Sequence, residues 1–296
     1  MITIAIPCFN TDKNYIKTAI DSVCAQSCSN WVLHVVDGNP RADSALQFLC
    51  ESYSSDQIRY LRNPDDHSMA GNWNFAFDSA NTELVSLLHD DDFLDPTYVA
   101  EMLILAKKHH LASAYFCDVD IVDSNSRVSN TFVDVVKTII RPKYHEVTLS
   151  GDVGLSALLK GCFIYCPTIV FRKSKLPSSP FKSKWAMVTD LQFYADVLIS
   201  GGSIIGSAKK LFSYRRHEGN QTVLLTATRR RFEEELCFYR SLCAETAQLG
   251  WHKSLFHCRY QPIIRLHILY QAAKELMHLR IKRVKELLIL SFSKAR

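Results

Sequence analysis

The feature that constrains the fold most is an alternation of short apolar runs with segments of helical spacing along the first 61 residues. Residues 2–6, 31–36 and 58–61 are β-rich runs, and residues 15–26 and 42–53 between them carry apolar side chains at helical intervals. Strands that alternate with helices in this order pair in parallel. The pattern therefore predicts an α/β fold around a mostly parallel central sheet that is buried on both faces and flanked by helices.

The remainder of the chain also contains predicted strands and helices, and its last part is predicted to be helical. Further elements are predicted as helices at residues 68–80, 96–109, 155–159 and from 191 to the Gly201-Gly202 stop, and as strands at 84–88, 114–122 and 164–171. Residues 125–150 are polar and weakly periodic, which predicts a loop-rich segment. Residues 228–296 have an almost entirely helical pattern.

An acidic run, His89-Asp90-Asp91-Asp92, directly follows the predicted strand 84–88. Three consecutive carboxylates repel one another unless a cation lies among them, and hard oxygen ligands favour Mg²⁺ or Mn²⁺. A solvated acidic loop that caps the next helix is the alternative interpretation. Ligands of open α/β sheets bind outside the carboxyl ends of the strands, so Asn10, Asp37 and Asp91 are expected to share one site.

The composition is that of an ordinary globular protein. Hydrophobic residues make up 47% of the chain and charged residues 22%, which excludes a disordered or fibrous class. No secretory signal and no run of about 18 uncharged apolar residues is present, so we expect a cytoplasmic protein. The ten cysteines form no Cys-x-x-Cys pair, which favours free thiols over a zinc site.

Charge is distributed unevenly between the two parts of the chain. Residues 1–206 contain 17 Lys and Arg against 23 Asp and Glu, whereas residues 207–296 contain 18 against 7. Basic amphipathic helices over residues 228–296 predict either peripheral contact with the inner face of the cytoplasmic membrane or helices packed on the core with a solvated basic face. Nucleic-acid binding is not expected, because this segment lacks closely interleaved aromatic residues.

Several short segments resemble the motifs of one enzyme family. Ile4-Ala5-Ile6-Pro7-Cys8-Phe9-Asn10 resembles an opening strand with a Pro-x-(Tyr/Phe)-Asn loop, and Val35-Val36-Asp37-Gly38-Asn39 is similar to a Val-Asp-Asp-Gly-Ser turn with one Asp fewer. Ala70-Gly71-Asn72-Trp73-Asn74 resembles a Gly-x-x-x-Asn region. Leu88-His89-Asp90-Asp91-Asp92-Phe93-Leu94-Asp95-Pro96 resembles an Asp-x-Asp motif with its trailing Asp and Pro.

The resemblance continues to residue 222. Thr189-Asp190-Leu191 lies where the family has its catalytic carboxylate, and Tyr214-Arg215-Arg216-His217-Glu218-Gly219-Asn220-Gln221-Thr222 resembles a closing Tyr-Arg-x-His-x-Gly-Asn-x-Thr segment. In order and spacing these motifs resemble those of the inverting glycosyltransferases of family 2, of the type that makes bacterial cell-surface polysaccharides.

The resemblance implies a GT-A fold and a division of the chain. Residues 1–222 would form the glycosyltransferase domain, with a nucleotide-sugar-binding half at about 1–110 and an acceptor-binding half at about 111–222. Residues 223–296 would form a basic helical C-terminal extension. The implied reaction is metal-dependent transfer of a hexosyl group, with inversion, from a UDP-, dTDP-, GDP- or CDP-sugar to a hydroxyl of a glycan or lipid-linked glycan, in O-antigen or capsule synthesis.

The resemblance also implies roles for individual residues. Asp190 would be the catalytic base, although a helix N-cap is the alternative that its sequence position allows. Mn²⁺ or Mg²⁺ would be held by Asp91, Asp92, His217 and His89, and His89 stands where many relatives have the first Asp of the motif. The donor would contact Pro7, Phe9, Asn10, Asp37, Asn74, Asp90 and Arg215. Arg215 and its neighbour Arg216 are equally well interpreted as surface residues.

Two other functions remain open at this point. A sugar nucleotidyltransferase would share the fold and the metal, but it should have a Gly-rich loop after the first strand, and residues 7–14 contain no glycine. A non-catalytic nucleotide- or carbohydrate-binding module of the same fold would tolerate loss of Asp190, whereas a transferase would lose its turnover.

Overall fold

The computed structural model describes residues 1–41, 44–129, 145–217, 219–220, 224–226 and 228–293. Their central feature is a nine-stranded mixed sheet in the order β3-β2-β1-β4-β8-β6-β9-β5, with β7 also paired to β9. The strands are β1 Ile2–Cys8, β2 Trp31–Asp37, β3 Ile58–Arg62, β4 Leu84–Leu87, β5 Phe93–Leu94, β6 Ala114–Val122, β7 Glu146–Ser150, β8 Val170–Arg172 and β9 Ser203–Arg215.

Helices flank the sheet and then continue beyond it. In chain order they are α1 Lys13–Cys24, α2 Ser44–Ser52, α3 Met69–Asp78, α4 Tyr98–Lys108, α5 Gly151–Lys160, α6 Thr189–Ile199, α7 Arg230–Ser241, α8 Cys243–Gln248, α9 His252–Tyr260, α10 Pro262–Met277 and α11 Ile281–Ser291. Among the described residues, no helix is both long and apolar enough to cross a bilayer.

The first half of the sheet is parallel, as the alternating pattern predicts. β1 lies between β2 and β4 and pairs with both in parallel, with Cys8 opposite Asp37 and Ala5 opposite Leu87. Side chains of β1 alternate between the two hydrophobic clusters: Ile4 and Ile6 face one, and Ala5 faces the other. Burial on both faces explains why these strands are continuous apolar runs. Their carboxyl ends, and the loops that follow, lie along one edge.

Side-chain caps fix the starts of the helices nearest this edge. Asp12 accepts hydrogen bonds from the backbone N–H groups of Asn14 and Tyr15 at 2.8 and 3.2 Å, and so begins α1. Ser68 accepts one from Gly71 at 3.1 Å and begins α3. These caps satisfy N–H groups that have no partner inside the helix, and they hold both helix starts beside the loop after β1.

The C-terminal helices pack into the same hydrophobic core as the sheet. Phe232, Leu236 and Tyr239 of α7 and Ile264 and Ile268 of α10 are buried in the cluster that contains residues of α3, α5 and α6. The hydroxyl of Tyr239 also donates to the backbone oxygen of Leu159 at 2.7 Å. The helices after residue 229 are therefore a structural part of the α/β unit, and peripheral membrane contact of their basic face stays a prediction.

The structure differs from the sequence predictions mainly in the second half. β9, the longest strand, and β7 were not predicted, and the predicted strand at 164–171 is instead a 3₁₀ turn, Cys166–Thr168, followed by the short β8. β9 mixes buried Ile204 and Ile205 with exposed Lys209 and Lys210, so its sequence alternates poorly. Its register against β6 also shifts between Phe116 and Val119. Residues 130–144 of the predicted loop lie outside the described residues.

Candidate active site

A cavity of about 740 Å³ opens at the carboxyl edge of the parallel strands. It is lined by the loop after β1, the start of α3, the acidic segment after β4 and the end of β9. Of the predicted site residues, those that line it are Pro7, Phe9, Asn10, His89, Asp90, Asp91 and His217. The structure thus brings together three motifs that are far apart in the sequence, and it does so because β1, β4 and β9 end on the same side of the sheet.

The loop after β1 is held in an unusual conformation over the cavity. Asn10 has a positive φ of 51°, which asparagine tolerates better than most residues. Its side-chain oxygen accepts a hydrogen bond from the side-chain nitrogen of Asn39 at 2.9 Å. The next residue, Thr11, donates from its hydroxyl to Asp90. Phe9, between them and the strand, is 52% exposed, so a large flat apolar surface is presented beside polar groups.

Asp91 is the centre of a polar cluster. One of its oxygens, Oδ2, lies 2.9 Å from Nε2 of His217 and accepts a hydrogen bond from Asn220 at 3.0 Å. Asp92 is buried below the cavity, and its Oδ1 accepts from the backbone N–H of Arg215 at 2.7 Å. The end of β9 and the segment after it are thus tied to the acidic segment through Asp91 and Asp92. The predicted partners Asp91 and His217 meet directly.

Burial has opposite effects on the carboxyl and imidazole groups here. It raises the pKa of Asp90 to about 6 and, together with the charge of Asp91, raises the pKa of Asp92 well above its usual value. Burial lowers the pKa of His89, against the opposing influence of Asp91. Both effects disfavour the charged forms when only protein groups are present. A positive charge placed among them would favour the ionised carboxylates and the neutral imidazole.

The donor atoms fit a divalent cation. Ligand atoms of His89, Asp91 and Asp92 lie within 4.8 Å of one another. His89 Nε2 and Asp92 Oδ2 are both buried, and neither has a hydrogen-bond partner among the described residues. Buried polar atoms are normally satisfied, and these two belong to a group whose atoms fit a divalent cation. Carboxylate oxygens with imidazole nitrogen suit Mn²⁺, and oxygen atoms alone suit Mg²⁺.

Asp37, the last residue of β2, does not line the cavity. Its side chain is buried, with Oδ1 accepting from the backbone N–H of Asn39 at 2.9 Å and Oδ2 from the hydroxyl of Tyr60 at 2.7 Å. In this conformation the carboxylate shapes the turn after β2. Contact with a nucleotide base stays a prediction for Asp37, and it would require one of these hydrogen bonds to be shared or replaced.

The helix α3 contributes different residues from the one predicted. Asn74 pairs through its side-chain amide with both backbone groups of Phe181, at 2.8 and 2.9 Å, and does not line the cavity. Asn72 and Trp73 line it instead. The Trp73 ring stacks on His89, with centroids 5.5 Å apart and planes 29° apart. Both residues stand in the Asn72-Trp73-Asn74 sequence, but the motif alone does not tell which of the three faces inward.

Arg215 is neither a surface residue nor part of the cavity wall. It is 2% exposed, and its guanidinium lies over the Tyr15 ring at 4.5 Å. Nε donates to the backbone oxygen of Asp91 at 2.7 Å, and Nη1 donates to the Ser126 hydroxyl at 2.9 Å. The side chain therefore holds the acidic segment against the loop after β6. A direct donor contact stays a prediction, and Arg215 is placed to position Asp91.

Replacing Arg215 with Lys is expected to destabilise the fold, because one ammonium group cannot reach acceptors that lie in several directions. Loss of the buried hydrogen bonds should cost about 2 kcal/mol of unfolding free energy, which corresponds to a Tm lower by roughly 3 °C for a chain of this size. Differential scanning calorimetry measures this decrease in Tm. Arg216→Lys, one residue further on, is the control, and equal shifts in both variants would contradict the assignment.

Asp190 lies on a second cavity of about 690 Å³. This cavity shares Met69, Trp73, His89, Tyr214 and Asn220 with the first, so the two adjoin. α6 begins at Thr189, with Val188 at the N-cap position. Asp190 is therefore inside the first helical turn rather than at the cap. One oxygen accepts from the backbone N–H of Leu191 at 2.7 Å, in a position that the helix dipole favours for a carboxylate.

The fold and the acidic edge of the sheet define a GT-A architecture, and comparison with known structures agrees. The chain is similar to S. aureus TarS residues 1–349 in complex with UDP-GlcNAc, with a TM-score of 0.64 and 17% identity. That match covers 86% of this chain and 70% of TarS 1–349. At this level of identity the likeness establishes the fold.

The sequence establishes the family. The model of "Glycosyl transferase family 2" matches residues 3–170, more than half of the chain. The chain belongs to this family. It is 26% identical over 208 residues to an uncharacterized glycosyltransferase of Rickettsia typhi. The aligned region covers 67% of this chain and 63% of that relative. The chain is also 21% identical over 231 residues to a bifunctional glycosyltransferase of Dictyostelium discoideum, covering 70% of this chain and 30% of that protein.

Proposed function

We propose that this protein is a metal-dependent glycosyltransferase that moves a sugar from a nucleotide-sugar donor to a hydroxyl of a glycan or lipid-linked glycan, with inversion at the anomeric carbon. The observation that carries the proposal is the junction of the two cavities. One holds the acidic cluster, the other holds Asp190, and Trp73 and His89 line both. A donor in the first and an acceptor in the second would meet at this junction.

The donor would bind with its diphosphate at the acidic cluster. Asp91, Asp92 and His89 would hold Mn²⁺ or Mg²⁺, with His217 beside Asp91. The bound cation would neutralise the diphosphate and stabilise the charge that it gains on leaving. Phe9 and Asn10 in the loop after β1 would face the nucleotide, with Asp37 supporting that loop from below. UDP-sugars are the first donor class to test, because the structurally similar TarS was solved with UDP-GlcNAc and with UDP.

The transfer step requires a base on the acceptor side. As the acceptor oxygen forms its bond to the anomeric carbon, the bond to the leaving phosphate oxygen breaks and the nucleoside diphosphate departs. Asp190 would accept the hydroxyl proton. A direct displacement of this kind inverts the anomeric configuration. Trp73, stacked against His89 between the cavities, would provide an apolar face for the transferred sugar.

The family resemblance and the basic C-terminal helices together support a membrane-proximal acceptor, in surface polysaccharide synthesis of the O-antigen or capsule type. Around the turn between α10 and α11, Met277, Leu279 and Ile281 are exposed beside the cationic residues Lys282 and Lys285. Exposed apolar and basic side chains together suit the inner face of an anionic cytoplasmic membrane. Co-sedimentation with anionic vesicles tests this contact, and absence of co-sedimentation would contradict it.

The proposal predicts binding of one nucleotide class in a metal-dependent manner. Calorimetric titration of UDP-, dTDP-, GDP- and CDP-sugars, with and without Mn²⁺, is expected to give saturable binding for one class and a clear loss of affinity without the metal. Absence of binding by all four would refute the donor site. Binding without any turnover on glycan acceptors would favour a non-catalytic module, and formation of a nucleotide sugar from a sugar phosphate and a nucleoside triphosphate would favour a nucleotidyltransferase.

A further inference from the structure

The second cavity has more cationic than acidic side chains along its wall. Among the residues that the structure describes, six cationic side chains and three carboxylates, Asp190, Glu235 and Glu275, line it. The cations are Lys160, Arg216, Arg231, Lys274, Arg280 and Arg283. A cavity wall with this excess of positive charge attracts anions, and its low-dielectric surroundings strengthen the attraction.

Arg280, in the turn between α10 and α11, and Arg283 of α11 are held in place by one buried carboxylate. Glu275 is 5% exposed, and its two oxygens lie 3.3 Å from Nη1 of Arg280 and 3.5 Å from Nη1 of Arg283. Gln271 also donates to Glu275, at 3.3 Å. The backbone N–H of Arg280 donates to the backbone oxygen of Glu275 at 3.0 Å, which fixes the turn between the helices. Two guanidinium groups are thus oriented by the protein itself.

Other features of the turn add to its preference for an anion. Lys274 precedes Glu275 and lines the same cavity. α11 begins at Ile281, directly after Arg280, so the positive end of its dipole lies at this turn. His267, also on the cavity wall, adds no positive charge at neutral pH, because burial and the nearby Arg231 lower its pKa to about 4. Attraction of an anion to this wall therefore depends on the lysine and arginine side chains, which stay charged at neutral pH.

We infer that the cavity wall formed by Lys274, Arg280 and Arg283 binds a phosphate group of the acceptor, so that the acceptor class is a phosphate-bearing glycan. The inference rests on the proposed function, because it assigns the second cavity to the acceptor. The guanidinium of Arg280 has five N–H donors and directs Nη1 to Glu275, and the planar fork of arginine matches phosphate geometry. Asp190, on the same cavity, then receives the hydroxyl of an acceptor that is anchored by its phosphate.

The test compares two double variants of equal charge. Lys274→Gln with Arg283→Gln removes two cavity cations and leaves Arg280 to pair with the buried Glu275. Lys282→Gln with Lys285→Gln removes two cations of α11 that do not line the cavity. Inorganic phosphate is titrated by calorimetry into each protein after saturation with UDP and Mg²⁺, so that the donor site is already filled.

The inference predicts phosphate binding that is at least about 10-fold weaker in the Lys274/Arg283 variant than in the wild type, and unchanged in the Lys282/Lys285 variant. No phosphate binding by the wild type, or equal binding by both variants, would overturn it. Because UDP binding is measured first, a failure of the donor site is recognised separately. Absence of binding by all four donor classes refutes the proposed function, whereas intact nucleotide binding without phosphate binding refutes only this inference.

Transfer assays identify the source of the phosphate. A decyl-diphosphate sugar represents a lipid-linked acceptor, a glycerol-phosphate oligomer represents a phosphodiester polymer, and the decyl glycoside of the same sugar is the neutral control. We expect a KM lower by about 10-fold or more for one of the two phosphate forms, and loss of that preference in the Lys274/Arg283 variant. Equal KM values for all three acceptors would contradict the inference.

Discussion

Replacing Asp190 with Asn is expected to lower sugar transfer by about 10²- to 10⁴-fold and to leave donor binding unchanged, because the amide keeps the shape of the side chain but cannot accept the acceptor's proton. Asp190 is inside the first turn of α6 and lines the second cavity, whereas Asp90 and Asp91 line the first. Steady-state transfer rates and calorimetric donor affinities, measured on the same preparations, separate the two effects.

Asp196→Asn is the matched control for this prediction. Asp196 belongs to the same helix and pairs with Lys182 at 2.6 Å, and it does not line either cavity. Its replacement should leave transfer within about twofold of the wild type, since a surface ion pair contributes little. If Asp190→Asn retained wild-type turnover, Asp190 would not be the base, and another group on the second cavity would have to fill that role.

Replacing Asp91 with Asn is expected to reduce metal-dependent turnover on the order of 100-fold or more, because the positive charge of a catalytic cation is worth several kcal/mol at the leaving group. Asparagine can retain contacts with His217 and Asn220, which lie 2.9 and 3.0 Å from the Asp91 oxygen, so the local fold should survive. Mn²⁺ binding measured by electron paramagnetic resonance should weaken in parallel with turnover.

Asp120→Asn serves as the control for loss of one carboxylate. Asp120 lies on β6 and pairs with Lys210 at 2.6 Å on an exposed part of the sheet. The control should bind Mn²⁺ and turn over as the wild type does. Wild-type metal affinity in the Asp91 variant would show that the cation is held by other groups, and loss of turnover without loss of metal would assign a different role to Asp91.

The parallel half of the fold could be predicted from the sequence because its signals are local. Strands such as β1 and β2 are buried on both faces and stand out as continuous apolar runs, and the helices between them have regular apolar spacing. β9 does not have such a signal. Its exposed Lys209 and Lys210 interrupt the apolar residues, and its pairing with β6, β5 and β7 depends on contacts between segments distant in sequence.

The position of a candidate site residue could be predicted from the sequence where a motif names that residue. Asp91 and His217 come from separate motifs and lie side by side, and Asp190 lies on an adjoining cavity. The direction of a side chain was harder to predict. Asn74 turns to Phe181 and Arg215 turns inward beneath Tyr15, whereas Trp73 faces the cavity. These choices depend on how α3 and β9 pack, which no short motif encodes. The part of the second cavity that α10 and α11 line likewise arises only from tertiary packing.

The most direct test of the central claim is to incubate the wild-type protein with the nucleotide sugar that it binds, Mn²⁺ and a glycan acceptor, and to follow the product by NMR. The proposed reaction predicts a new glycosidic bond whose anomeric configuration is opposite to that of the donor, formed together with one nucleoside diphosphate per transfer. A product that retained the donor's configuration would contradict direct displacement with Asp190 as the base. Absence of any glycosidic product from a protein that binds donor and metal would contradict the proposed transferase activity.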